Sequence, residues 1–245
     1  MPIAFQNATS ATGNNVATYA VSAPSGTASG DMLILAVSVS ESAGVVPTVT
    51  GSWTQKLTVN QVTSGDDQDN TLSLFWRRAS SEPGSYTVTP DGTYGNYSAA
   101  SVLRYTGVIS SGDPFRASAT ATGGATLGTP RTSATLSGVQ TSDLALHCAG
   151  AVKATWNTDT FDPAGPGGSW VERGEIRMTS ASTGMPAILY LEQSGTGTAP
   201  SFSATGTASA NLAWCFCAGA LMEEPAQTGP GERIFSTAVR RASTW

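Results

Sequence analysis

The sequence predicts an all-β protein, an antiparallel β-sandwich of jelly-roll character built from two internal repeats of about 110 residues. Three observations carry this. Apolar residues make up 40% of the 245-residue chain, yet they fall in separated short runs divided by 27 Gly and 13 Pro; such runs between turn residues read as strands. No stretch shows the sustained 3.6-residue periodicity of a long helix. Six segments also recur in the same order at offsets of roughly 112 to 117 residues, among them a Gly-Ser-Trp at Gly51–Trp53 and again at Gly168–Trp170, which is the mark of an internal duplication.

The elements follow in order. TYAVSAP from Thr18 and DMLILAVSVS from Asp31 are strand-length runs between Gly, Ser and Pro. After GSW come QKLTVNQV and then TLSLFWRRA, where Leu72, Leu74 and Trp76 alternate as a one-faced strand requires. A Pro83-Gly84 turn leads into SYTVT, and NYSAASVLRYTGV closes the half at Val108. In the second half PRTSATLSGVQ, SDLALHCAGAV, PAILYLEQS, APSFSAT and SANLAWCFCAGAL stand in the corresponding places, with Asp143 answering Asp31. Roughly twelve short strands are expected, each with a face that a second sheet must cover.

The domain plan is residues 1–111 as the first repeat, 112–129 as a connector or edge strands (FRASATATG alternates), 130–222 as the second repeat, and 223–245 as a C-terminal extension. About 110 residues of mostly small side chains give a thin core, so the halves are expected to pack closely; one larger sandwich and two separate ones both remain open. Pro225 and Gly229-Pro230-Gly231 mark an exit from the last core strand. Beyond it, Arg233, Ile234, Phe235, Val239, Arg240, Arg241 and Trp245 form an apolar-basic segment, either closing over its own domain or docking on a partner.

The net charge is −5 and Lys56 and Lys153 are the only lysines, which argues against a nucleic-acid partner. No run approaches the length of a membrane span, and the opening residues lack the pattern of a secretory signal. Cys148, Cys215 and Cys217 read as small buried apolar groups; in a strand, 215 and 217 share a face and are poorly placed to bridge.

No enzyme is expected. The single histidine, His147, lies inside a strand, with Leu144, Leu146 and Cys148 on one face and Ala145, His147 and Ala149 on the other. One His and three distant Cys are thin material for zinc, and no phosphate-binding glycine loop opens a helix. Glu172, Glu175 and Glu192 could in principle supply paired carboxylates. Asp66, Asp67, Asp69 and Asn70 form a candidate Ca²⁺ loop short of a complete motif. No other cofactor is implied. Of six tryptophans, Trp76 and Trp214 belong to core strands, and Trp53 and Trp170 read as a structural plug used twice. Trp156, with Asp159 and Phe161, is the candidate exposed patch for glycan or partner contact. Asp31, Trp53, Asp143 and Trp170 are structural repeat positions.

As an ordered set, GDMLILAV, PTVTGSW, LSLFWRRA, EPGSYTVT and AASVLRYTGV resemble a pattern in virion proteins of tailed bacteriophages, of the minor tail, fibre or spike type. The resemblance covers roughly Val21 to Leu221. It implies a β-sandwich displayed on a virus particle, as a tail, head-spike or capsid-decoration component assembled in the host cytoplasm. Its partners would be other virion proteins and copies of itself, with contact to a host-surface glycan. The alternative is a carbohydrate-binding module without catalysis.

Overall fold

The computed structural model describes residues 1–40, 45–62, 69–90, 97–126, 130–153, 160–164, 170–179, 185–205 and 211–226. Among these the regular structure is entirely β. The first half holds β1 (Ala4–Asn14), β2 (Tyr19–Ser22), β3 (Met32–Ser40), β4 (Thr48–Val49), β5 (Thr54–Gln61), β6 (Asn70–Arg78), β7 (Ser85–Thr89) and β8 (Tyr97–Thr106). The second holds β9 (Phe115–Thr126), β10 (Arg131–Thr132), β11 (Leu144–Lys153), β12 (Thr160–Ala164), β13 (Val171–Arg177), β14 (Met185–Ser194), β15 (Ser201–Thr205) and β16 (Asn211–Leu221).

The strands form two five-stranded antiparallel sheets, β1-β8-β3-β6-β5 and β13-β14-β11-β16-β9, and two three-stranded sheets, β2-β7-β4 and β10-β15-β12. Raising each label of the first half by eight reproduces the order in the second. The cross-strand register agrees as well: Leu35 faces Phe75 and Val102, and His147 faces Leu191 and Ala218. Irregularities recur at the same places, between Phe5 and Asn7 on β1 and at Arg116 on β9 opposite Ala220/Leu221. They recur again at Lys56 on β5 and Arg173 on β13. A bulge adds an unpaired residue and bends the strand, so both halves curve at matching points.

Clusters of buried apolar side chains lie between the resulting layers. Leu33, Leu35, Val37 and Val39 of β3 pack with Tyr86 and Val88 of β7 beneath the first small sheet. Trp214 and Phe216 of β16 pack with Phe202 of β15 beneath the second. The central core joins the other faces of both large sheets: Ile34, Leu72, Leu74, Leu103 and Tyr105 from the first half meet Leu146, Cys148, Ile188, Tyr190 and Cys217 from the second. The order of layers is therefore small sheet, large sheet, large sheet, small sheet.

This arrangement extends the sequence reading in three places. The polar opening FQNATSATGN belongs to an edge strand, β1, and FRASATATG to its counterpart β9, paired to β16. Residues Thr160–Ala164, read as part of a loop, are a strand paired to β15. Their composition hides them, because edge strands need little apolar surface.

Candidate functional site

Asp31 and Asp143 end equivalent turns. Each carboxylate accepts a backbone N–H three residues back, Ala28 N at 2.8 Å and Gln140 N at 2.8 Å, and each holds an arginine: Arg104 Nε at 2.6 Å on Asp31 and Arg116 Nε at 2.7 Å on Asp143. Both are turn clamps, with the buried carboxylates satisfied by an N–H and a guanidinium. The arginines come from different strands, β8 in one half and the bulge of β9 in the other.

Trp53 and Trp170 each precede the bulged edge strand of their half. Trp53 stands edge-on to Tyr86, ring centroids 5.1 Å apart, with the Arg77 guanidinium 5.7 Å from its ring. Arg77 is held by Glu82 at 2.9 Å. Trp170 stands edge-on to His147 at 5.1 Å. These are packing contacts of offset aromatic geometry.

His147 is fully buried. Its Nδ1 lies 2.9 Å from Ser133 Oγ, and its Nε2 has no hydrogen-bond partner among the described residues. Burial holds its pKa down at about 3, so the ring is neutral. The three thiols are free and buried and lie in the central core. Burial raises all three, Cys215 to about 12, which leaves them protonated and unreactive. Cys215 Sγ donates to Asn70 O at 3.1 Å across the interface between the halves.

Asn70, placed by its sequence in the candidate cation loop, is committed elsewhere. It is fully buried, its Oδ1 accepts from Ser38 Oγ at 2.8 Å, and its Nδ2 donates to Ala213 O of the second half at 3.3 Å. Through these bonds Asn70 pins the first half's large sheet to the second's. Asp66 and Asp67 lie outside the described residues, and Asp69 sits at the start of β6. Among the described residues no group of three or more His, Cys, Asp or Glu converges on a metal-sized point.

Trp156 and Asp159 lie outside the described residues; the backbone of Phe161 is in β12, opposite Ala204. Arg233, Ile234, Phe235, Val239, Arg240, Arg241 and Trp245 lie outside them too. The described chain leads to Ala226 past the amino terminus, where Met1 N is 3.7 Å from Glu223 Oε1.

Glu192, named in the sequence as a candidate carboxylate, has partners at the central interface that sequence reasoning missed. Glu192 is nearly fully buried, accepts from Tyr105 Oη at 2.9 Å and pairs with Arg173 Nε at 2.5 Å, while the Arg173 guanidinium lies 4.9 Å from the Phe5 ring. Burial, then Glu192, push the Tyr105 phenol upward. Nearby, Tyr190 Oη donates to Ser101 O at 2.9 Å. Glu192 alternates with Tyr190 in β14 and so shares its face, the one signal that could have found it. Glu175 is engaged separately, 2.8 Å from Arg177. A cleft of about 340 Å³ opens beside this group, lined by Leu144, Val171, Arg173, Glu192, Gln193 and Ser194.

No family model matches the chain, and neither does any curated protein or solved structure.

Proposed function

We propose that this chain is a structural component of a tailed-bacteriophage virion, built from one jelly-roll unit used twice and anchored by its C-terminal extension. One observation carries the reading. The order β1-β8-β3-β6-β5 over β2-β7-β4 returns as β9-β16-β11-β14-β13 over β10-β15-β12; setting aside β5 and β13, which extend the large sheets, the alternation between two sheets is similar to that of jelly rolls, a plan used by viral capsid proteins and lectins. The supporting chemistry is that of a scaffold: Asp31, Asp143, Glu192, His147 and Asn70 spend their polar atoms on turns and on the joint between halves.

In this role the joined sheets act as a rigid spacer, and the segment from Glu223 onward supplies the contact that seats it on neighbouring virion proteins. The test is particle incorporation. A tagged chain should co-purify with intact virions and be labelled by immunogold electron microscopy at a fixed place on them. Deleting residues 232–245 should abolish incorporation while the circular dichroism stays β-rich. Absence of the full-length chain from purified particles would sink the reading. Binding on a glycan array, lost in Trp156→Ala, would turn it toward a carbohydrate-binding module.

A further inference from the structure

Backbone donors and acceptors of a strand point alternately to its two sides, so an edge strand offers half of them to any chain that can lie alongside. The four edges of the large sheets fall on two sides of the molecule, β1 stacked with β13 and β5 stacked with β9. The first side is guarded. In β13, Glu172, Arg173, Glu175 and Arg177 occupy seven residues. The flank of β1 is stitched to its own following segment by Asn7 Nδ2 to Ser25 O at 2.9 Å and Thr9 Oγ1 to Ser22 O at 2.5 Å.

On the second side the described residues of β9 show no such density of charge. Ala117–Gly123 of β9 carries neither charge nor proline, with Ser118, Thr120 and Thr122 exposed. Among the described residues β16 is its only partner strand. The charges nearest this edge are neutralised within the chain, Lys56 by Asp113 at 2.5 Å and Arg116 by Asp143.

We propose that β9 is a self-association edge: two copies of the chain pair their β9 strands antiparallel about a two-fold axis near Thr120, joining two five-stranded sheets into one of ten. The two-fold selects for this composition. Antiparallel self-pairing sets Ser118 against Thr122 and Thr120 against itself, so a charge at the two-fold position 120 would meet its own kind and an uncharged Thr120 does not. A charge-free run is the self-complementary one, and Arg116, at its end, falls opposite Gly124. The proposal names the partner in the reading above of a chain that contacts copies of itself, but it does not depend on the particle.

The experiment is sedimentation and light scattering of the full chain. The native protein should have twice the monomer mass of 25.0 kDa. Thr120→Lys and Thr120→Glu should each fall to monomer mass with unchanged circular dichroism, and an equimolar mixture of the two should regain the dimer. Gln6→Lys, at the equivalent bulge on the guarded side, should leave the dimer intact. A monomeric native chain, a dimer that survives Thr120→Lys, or a dimer lost only on deleting residues 232–245 would each overturn the proposal. The virion reading fails separately, by a dimer that never enters particles.

Discussion

Beneath the small sheet of the first half, bulk sits on β3: Val37 faces Ala100 and Val39 faces Ser98. In the second half the same pairs are Ala149 with Phe216 and Ala151 with Trp214, so bulk has moved to the neighbouring strand. Each pair keeps one large and one small partner while exchanging which strand supplies it. Interiors are packed to crystal-like density, and volume-conserving changes are the ones they tolerate. One backbone plan therefore holds two quite different sequences, because the constraint acts on the sum across a ladder rather than on any residue.

The sharpest way to break this comparison is to remove bulk where only one strand supplies it. Trp214→Ala leaves Ala opposite Ala151 with nothing to fill the space, and should cost about 3–5 kcal/mol in denaturant unfolding. Ser98→Ala, at the corresponding place, should cost at most about 1 kcal/mol, the loss of its contact with Tyr19 Oη at 2.7 Å. Similar costs for the two would mean that the halves do not share out volume in this way.

The joint between the halves shows a second exchange. Tyr105, Glu192 and Arg173 form a buried polar group on one side; the corresponding residues on the other are Leu221, Trp76 and Lys56, with Lys56 set over the Phe115 ring at 5.3 Å as Arg173 is over Phe5. Glu192→Ala strands Tyr105 and Arg173 together. Breaking a buried pair costs about 3–5 kcal/mol, and with Arg173 about a third exposed the loss should be nearer 2 kcal/mol. Trp76→Ala should cost a comparable amount, mostly through lost packing with a smaller part from the Arg78 guanidinium 5.8 Å from its ring, and salt should alter the first loss more than the second. A salt dependence of the Trp76→Ala loss as large as that of Glu192→Ala would remove the distinction.

Much of this was legible and some was not. The alternation of Leu72, Leu74 and Trp76, and of Leu144, Leu146 and Cys148, marks the faces that meet in the central core, because burial on one side imposes period two. Edge strand β1 and the short β12 carry almost no such imprint, while the small-residue alternation of FRASATATG left β9 open between connector and edge strand. The four bulges are invisible, since Gln6, Lys56, Arg116 and Arg173 read as ordinary polar strand residues. Asn70 was drawn into an acidic loop by its neighbours in sequence, while Ser38 and Ala213, its partners in space, lie far off along the chain. Asp31, Asp143 and Asn70 spend their described hydrogen bonds on turns and on the joint between sheets.

A third exchange makes one half sensitive to acid. Leu35 in the first half corresponds to His147 in the second, and Ala23, bonded through its N–H to Gly84 O, to Ser133, bonded to Pro200 O. Burial holds His147 at about 3 against an ordinary 6.5. Between those values the unfolded chain binds a proton that the folded chain refuses. The contribution of His147 is thus complete above about pH 6.5 and is lost as pH falls, by up to about 1.4 kcal/mol per unit. The double variant His147→Leu/Ser133→Ala, which installs the first half's pair, should flatten that part of the profile in urea titrations at pH 7 and pH 5. An unchanged slope would assign the acid sensitivity to other groups.

The smallest effect concerns the two aspartate clamps. Arg104 reaches Asp31 from β8, while Arg116 reaches Asp143 from the bulge of β9; the bulge of β1 holds Gln6 instead, exposed and bonded to Thr106 Oγ1 at 3.1 Å. If the turn requires a guanidinium on its carboxylate and is indifferent to the strand that supplies it, Arg104→Ala should cost about 1–2 kcal/mol. Adding Gln6→Arg should then recover more than half of that loss, because the recurring bulge aims residue 6 as it aims residue 116. Gln6→Arg in the native background should be nearly neutral, since Asp31 is already paired. Failure of the rescue, with Gln6→Arg itself harmless, would show that the bulges match in register but differ in direction, and that each half solved the buried carboxylate independently.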